Sequence, residues 1–75
     1  MTAAELRKLA AEFRTMSRIQ SEAHVECARA LAVKVAPGEE IALLAFAGVH
    51  DCMARRYRQW ADHLDEAANE ICELK

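Results

Sequence analysis

The sequence contains very little that would interrupt a helix. It has one Pro and two Gly in 75 residues, and aromatic residues account for only 5% of the chain. Pro and Gly are the strongest local breakers of regular structure. Pro37 and Gly38 stand together near the midpoint, which leaves a long uninterrupted segment on each side.

The chain also lacks the usual stabilising devices of a very small domain. Its three cysteines are odd in number, widely spaced and without a CxxC pair, so no disulfide framework is expected. Reduced thiols favour a cytoplasmic compartment. No four-ligand pattern for a structural metal is present. Because a chain of this length buries little surface by itself, oligomerisation is the device that remains.

The charge balance does not favour nucleic acid as the main partner. The formal net charge is −2, and the calculated isoelectric point is near 5.9. Proteins that live on nucleic acid usually carry a basic excess, although a local basic patch stays open. The first residues do not resemble a targeting segment, and the longest uncharged apolar run, residues 41–49, is too short to cross a bilayer. We expect a cytoplasmic protein that does not enter a membrane.

The first half predicts one amphipathic helix over about residues 3–35. Thr2 and Glu5 have the spacing of a capping box. Lys34 would lie in the last turn, where a cation suits the helix dipole. Positions spaced by three or four residues form a nearly apolar stripe. They are Leu6, Leu9, Phe13, Met16, Gln20, Ala23, Cys27, Leu31 and Val35.

The second half predicts another helix, over about residues 39–74, after a turn at about 36–38. Pro37 suits the first turn of a helix, and Glu39 and Glu40 place negative charge at its N-terminus. A short turn between long helices makes them antiparallel, so the expected fold is an all-α hairpin forming one domain, residues 1–75. The second stripe comprises Ala42, Phe46, Val49, Met53, Tyr57, Trp60, Leu64, Ala67, Ile71 and Leu74.

Helix rise sets the expected register of the hairpin. Residues whose numbers add to about 73 should face each other, which places Phe13 opposite Trp60 and Gln20 opposite Met53. Ser17 and Ser21 fall beside the stripe of the first helix and receive no role. Gly48 either marks a close approach between helices or is merely tolerated, at a cost of about 1 kcal/mol in helix stability relative to Ala.

Apolar residues near the turn predict a dimer. They surround the start of the second helix, and a lone hairpin has no further layer to bury them. We therefore expect an antiparallel four-helix bundle, in which a polar residue at Leu43 or Leu44 weakens association more than it melts the helices. A well-packed turn is the simpler alternative, and Gln20 either specifies the register or reaches water. The candidate interface residues are Gln20, Ile41, Leu43, Leu44, Phe46 and Met53.

A band of arginines is the strongest candidate for a partner-binding site. Its members are Arg14, Arg18, Arg55, Arg56 and Arg58. Arginines interleaved with aromatic residues suit nucleic acid. Acids four residues from three of these arginines instead favour a solvated, salt-bridged face: Glu22 for Arg18, Asp51 for Arg55 and Asp62 for Arg58. An acidic protein partner is the third alternative.

Two further clusters are considered as sites. The acidic residues Asp62, Asp65, Glu66, Glu70 and Glu73 lie near the level of Arg7 and Lys8, so internal pairing is expected before an external basic partner. The soft ligands His24, Cys27, His50, Cys52 and Met53 could gather in a bundle. Their spacing is nonspecific, so no metal and no cofactor are predicted, with a metal-binding bundle kept as an alternative.

The absence of any catalytic motif predicts a non-enzymatic protein. No nucleophile and base occur in a recognisable context, and a helical hairpin offers no natural concave pocket. We expect a small protein-interaction module, such as a regulator, adaptor or assembly subunit, that acts as a homo-oligomeric helical bundle. The alternatives are a nucleic-acid-binding bundle and a bundle completed by helices of a different protein.

Overall fold

Two long helices, packed antiparallel, form the molecule. A computed structural model describes residues 1–33 and 35–73, and these contain no strand. Helix α1 spans Ala3–Leu31 and helix α2 spans Pro37–Glu73. The Cα trace fills a rod of 59 × 15 × 13 Å. The predicted all-α hairpin is therefore confirmed.

Helix α1 begins at a side-chain cap. The Thr2 hydroxyl accepts a hydrogen bond from the Glu5 backbone N–H at 3.1 Å, and it donates to Glu5 Oε1 at 3.1 Å. The first contact satisfies one of the N–H groups that a helix start leaves without a partner. Thr2 is thus the cap, as predicted. In a capping box the Glu5 carboxylate would accept from the Thr2 backbone N–H, whereas here it contacts the Thr2 hydroxyl.

The predicted end of the first helix, near residue 35, is wrong. Helix α1 ends at Leu31, after which the Val33 N–H bonds to the Ala30 carbonyl at 3.3 Å and tightens the final turn. The β-branched side chains of Val33 and Val35 lose rotamer freedom in a helix, which favours an early end. Lys34, expected in the last turn, lies outside the described residues.

The second helix begins two residues before the expected start near residue 39, with Pro37 in its first turn. Helix α2 begins at Pro37, and the Ala36 carbonyl accepts a hydrogen bond from the Glu40 N–H at 3.0 Å. Proline disfavours the helical conformation of the residue before it but fits the first helical position. The connection therefore lies between Leu31 and Pro37 and precedes Gly38. Leu74, the last member of the predicted stripe, is outside the described residues.

The helices meet along a line of small residues, which we call the seam. On α2 it consists of alanines seven residues apart, and on α1 it contains the two buried small residues Ala10 and Ser17. A seven-residue repeat keeps the same face of a helix against its partner along the whole length of a left-handed pair. Small side chains let the two backbones approach closely. The alanines of α2 are Ala47, Ala54, Ala61 and Ala68.

The seam corrects the expectation that the large apolar stripe of α2 faces α1. Phe46 and Val49 are each 58% exposed, and Trp60 is 40% exposed. The alanines one position after Phe46 and Trp60 are buried in their place. Two helices alone have one narrow line of contact, so only part of a broad apolar band can enter it. The remaining large side chains stay beside the seam.

The observed register is close to the predicted one. His24 faces Ala47, and Ser17 faces Ala54, about two positions from the expected partners. Phe13 packs near Trp60, with ring centroids 6.1 Å apart, as expected. Gln20 faces His50 and not Met53. The shift has the same origin as the helix boundaries, because the connection between Leu31 and Pro37 lies earlier in the chain than the expected turn at about 36–38.

Candidate functional site

The seam divides the surface of the hairpin into two flanks of different chemistry. The residue before each seam alanine lies on one side of α2, and residues four and eight positions after that alanine lie towards the other side. In an antiparallel pair, equivalent flanks of the two helices fall on the same side of the molecule. Contacts across the seam agree with this division. Aromatic rings meet on one side and ion pairs on the other.

The apolar flank consists of large side chains with partial exposure to solvent. We define it by Leu9 and Met16 of α1 and by Phe46, Met53 and Trp60 of α2. An aromatic cluster joins the two helices here. The Tyr57 ring stacks on Phe13 with centroids 5.8 Å apart and meets Trp60 edge to face at 5.6 Å. Ile19 and Val49, both exposed, extend the same flank.

On the polar flank, ion pairs and hydrogen bonds join α1 to the C-terminal half of α2. Arg14 Nη2 lies 3.1 Å from Asp62 Oδ1 and also contacts Asp65 Oδ2. Hydrogen bonds donated to Asp65 and Asp62 raise the pKa of Arg14 above its ordinary value. Arg7 Nη2 donates to Asn69 Oδ1 at 3.3 Å. Arg14 is therefore an internal ion-pair partner, although its sequence offers no acid at helical spacing.

An open groove of about 500 Å³ lies on this polar flank. Its lining residues are Arg14, Ser17, Arg18, Ser21, Arg58 and Asp62. A second depression of about 250 Å³ continues along α1 towards the turn and shares Arg18 and Ser21 with the first. The structure thus brings three arginines of the predicted band to one place. Ser21 was not expected there.

The pairing of the arginines differs from the helical spacing expected of them. Arg55 pairs with Asp51 at 2.9 Å, as predicted. Within the described part of the chain, Arg18 and Arg58 have no carboxylate oxygen within 4.0 Å. The predicted partner of Arg58 is Asp62, and Arg14 holds that carboxylate from across the seam. Long-range pairing has displaced the local one.

Arg55 and Arg56 do not join the groove. Both are exposed, and neither lines it. Arg56 follows Ala54 by two positions, so it lies at the outer edge of the apolar flank. The predicted band of five arginines is thus divided between a groove and two separate positions.

Ser17 was missed by the sequence reasoning and is the most buried polar side chain described. It is 4% exposed, and its hydroxyl donates to the Ala54 carbonyl at 2.7 Å. A buried hydroxyl needs such a partner, because an unpaired polar group in the interior costs about 1–3 kcal/mol. The signal that could have found it is its seven-residue spacing from Ala10 and His24.

Two histidines occupy the seam nearer the turn. His24 Nδ1 lies 2.9 Å from the Ala47 carbonyl oxygen, and His50 Nδ1 lies 2.6 Å from Gln20 Oε1. Since both oxygens can only accept, both histidines donate through Nδ1. Gln20 is therefore half-buried and hydrogen-bonded across the seam. Of the two alternatives for Gln20, this contact is compatible with the one in which the side chain specifies the register.

The candidate metal ligands remain dispersed. Among the described residues, no three His, Cys, Asp or Glu side chains gather into a set able to hold a metal ion. Cys27 is half-buried, whereas Cys52 and Cys72 are exposed, and none of the three forms a disulfide. Cys72 Sγ accepts a hydrogen bond from Arg7 at 3.4 Å.

The acidic residues of the C-terminal part are only partly paired inside the chain. Asp62 and Asp65 contact Arg14, which was not their expected partner. Arg7 reaches Asn69 and Cys72. In the described residues, neither Arg7 nor Lys8 forms the predicted ion pair with this patch.

The candidate interface residues lie on both flanks. Phe46 and Met53 belong to the apolar flank, and half-buried Leu43 stands one heptad before His50 in the seam. Ile41 and Leu44 are exposed and fall on the side of the groove. A Cβ added at Gly48 would meet no atom within 4 Å, so no close approach inside the chain requires this glycine.

No protein-family model matches the chain, and neither a curated protein nor a solved structure shows significant similarity to it. Neither described helix contains a stretch long and apolar enough to span a membrane.

Proposed function

We propose that the protein is a non-enzymatic protein-interaction module that acts as a homodimeric four-helix bundle. The observation that carries this proposal is the exposed apolar flank, which runs along both helices of one rod. An exposed contiguous apolar surface marks an interaction site. A second hairpin laid on this flank would bury Met16, Phe46 and Trp60 and add the missing layer.

The surface area of the chain supports a second copy as the occupant. The hairpin exposes 5513 Å², whereas a compact monomer of its 8.4 kDa mass exposes about 4,600 Å². The excess of about 900 Å² is close to the 800 Å² or so that each partner buries in a stable interface of standard size. The radius of gyration, 17.0 Å, likewise exceeds the value of about 11 Å for a compact domain of this length.

Charge complementarity favours one arrangement of the two copies. Glu5 and Glu12 edge the apolar flank on α1, and Arg56 and His63 edge it on α2. A twofold axis parallel to the helices lays α1 of each copy on α2 of the other at the same level. Opposite charges then meet at both edges, and both turns lie at the same end. A perpendicular axis would instead lay the acidic edges on each other.

Solution mass tests the dimer and the flank together. Light scattering at micromolar concentration should give twice the chain mass for the wild type and for Leu44→Glu. Leu44 is exposed on the groove side and not on the apolar flank, so this expectation replaces the sequence-based one that a polar residue there weakens association. Phe46→Glu should give the chain mass while circular dichroism keeps its helical signal. A wild type that is monomeric, or a Leu44→Glu variant that dissociates while Phe46→Glu does not, would contradict the proposed flank.

Affinity purification then tests whether the module binds another protein. The tagged wild type and the monomeric Phe46→Glu variant would be recovered under the same conditions and compared by mass spectrometry. We expect a stoichiometric partner with the wild type. A partner chain in place of the second copy would indicate a bundle completed by a different protein.

A further inference from the structure

The groove on the polar flank carries arginine charge that the described residues do not neutralise. Arg14 is engaged by Asp62 and Asp65. Arg18 and Arg58 line the same groove, and no carboxylate oxygen of the described residues lies within 4.0 Å of either. Each guanidinium holds planar N–H donors that match a carboxylate in pairs. The groove is therefore equipped for an anionic group from outside.

The floor of the groove is made of small side chains. Ser17 is buried and fixed to the Ala54 carbonyl, which leaves space above it between the two helices. Ser21 adds a half-buried hydroxyl beside Arg18. A binding group can enter without displacing a large side chain, so the main entropic loss falls on the two arginines.

An apolar contact continues from the groove towards the turn. Val25, one heptad after Arg18, is 45% exposed and lines the adjoining depression. Seven residues of helix correspond to about 10 Å. A helix lying along α1 would therefore present an acidic residue to the groove and an apolar residue two turns away to Val25.

We propose that this groove binds an acidic amphipathic helix of a partner protein, whose carboxylate lies between Arg18 and Arg58. The inference rests on the proposed interaction function and names the chemistry of the partner. Since the groove and the apolar flank are on opposite sides of the seam, the dimer leaves both of its grooves open.

The surrounding charges favour a single carboxylate over a nucleic-acid backbone. Asp62 is part of the groove, and Glu22 and Glu26 line the depression beside it. An extended polyanion would bring phosphates close to all of these acids. A single carboxylate can instead lie between Arg18 and Arg58, beside an Asp62 that Arg14 already pairs. The net charge of −2 adds to the repulsion of a long polyanion.

A pair of synthetic peptides tests the proposal on the full chain. One is an alanine-rich helix of 21 residues with Glu at a central position and Leu seven residues later, and the other has Gln in place of Glu. Nuclear magnetic resonance titration would follow the Arg Nε–Hε signals. We expect the Glu peptide to shift those of Arg18 and Arg58 and to bind about ten-fold more tightly than the Gln peptide, as a charge-assisted hydrogen bond implies.

Matched double variants locate the binding. Arg18→Gln with Arg58→Gln should weaken the Glu peptide at least about ten-fold, the loss expected when charge-assisted hydrogen bonds are removed. Arg55→Gln with Arg56→Gln removes the same charge outside the groove and should change the affinity less than about two-fold, since exposed charges contribute little. Equal affinity of the two peptides, no binding by either, or equal losses in both variants would overturn the proposal.

Two further measurements separate the remaining outcomes. A single-stranded oligonucleotide of 20 thymidines should not shift the Arg18 and Arg58 signals. If it binds the groove more tightly than the Glu peptide, the ligand is nucleic acid and the proposal is wrong.

Light scattering on the same samples reports the dimer, so a monomer that binds the Glu peptide overturns the dimer alone. A dimer that ignores the peptide overturns the groove alone.

Discussion

At the scale of single residues, alanine decides how the helices meet. Ala61 and Ala68 have no exposed surface, although a methyl side chain contributes little to burial. Their importance lies in size, because a larger residue at the same position would separate the two backbones. The phenylalanine and tryptophan that draw attention in the sequence stand beside this line of contact.

Ala61→Leu should therefore destabilise the hairpin even though it adds apolar surface. Overpacking a closely packed core typically costs about 1–3 kcal/mol. Urea denaturation followed by circular dichroism would measure the change in the free energy of unfolding. Ala45→Leu, at an exposed position of the same helix, is the matched control and should change it by less than about 0.5 kcal/mol. Equal effects of the two substitutions would contradict the alanine seam.

Ser17→Ala should lower the free energy of unfolding by about 1 kcal/mol through loss of its hydrogen bond to Ala54. Ser17→Val should lower it further, because the larger side chain also crowds the seam. The same denaturation experiment serves, with Ser21→Ala as the control that removes a hydroxyl from the groove. A stabilising Ser17→Val would show that the seam has room there.

At the scale of the elements, the helix boundaries follow from local chemistry. The Thr2 cap fixes the start of α1, and Pro37 fixes the start of α2. Gly48 is the one residue of low helix propensity, Gly or Pro, in the interior of α2. Its site offers open space for a methyl group.

Gly48→Ala should stabilise the protein by about 0.5–1 kcal/mol, since alanine restricts the unfolded chain and fits the helix. The midpoint of thermal unfolding would rise accordingly. Ala45→Gly, an exposed reverse change in the same helix, should lower the midpoint by a similar amount. A destabilising Gly48→Ala would mean that a second copy or another partner packs on this position.

At the scale of the whole molecule, the hairpin is a rod with two unlike flanks. One flank is apolar and is proposed to bind a second copy, and the other holds the arginine groove. Edge charges of the apolar flank set the expected orientation of the copies. Glu12 of one copy would lie near Arg56 of the other.

Charge reversal tests this orientation. Glu12→Arg and Arg56→Glu should each weaken the dimer several-fold, since each creates a like-charge pair at both symmetric edges. The double variant should recover most of the loss. Sedimentation equilibrium would give the dissociation constants, with Glu22→Arg as a control on the outer face of α1. Single variants that dimerise as tightly as the wild type, or more tightly, would contradict this orientation and indicate the perpendicular twofold axis.

The sequence by itself determined the secondary structure and the hairpin. Helical periodicity, the Thr2 cap and the single proline act within a few residues of each other, so they can be read without the rest of the chain. The register followed approximately, because helix rise is constant.

Only the tertiary structure decided which part of the apolar band enters the contact. Periodicity locates an apolar band of about three positions in every two helical turns. The line of closest approach between the helices depends on the sizes of the side chains on both helices at once. The same holds for charge. Asp62 stands at helical spacing from Arg58, yet Arg14 reaches it from across the seam. Contacts between residues distant in sequence therefore shaped both flanks, and with them the groove that Arg18 and Arg58 leave open.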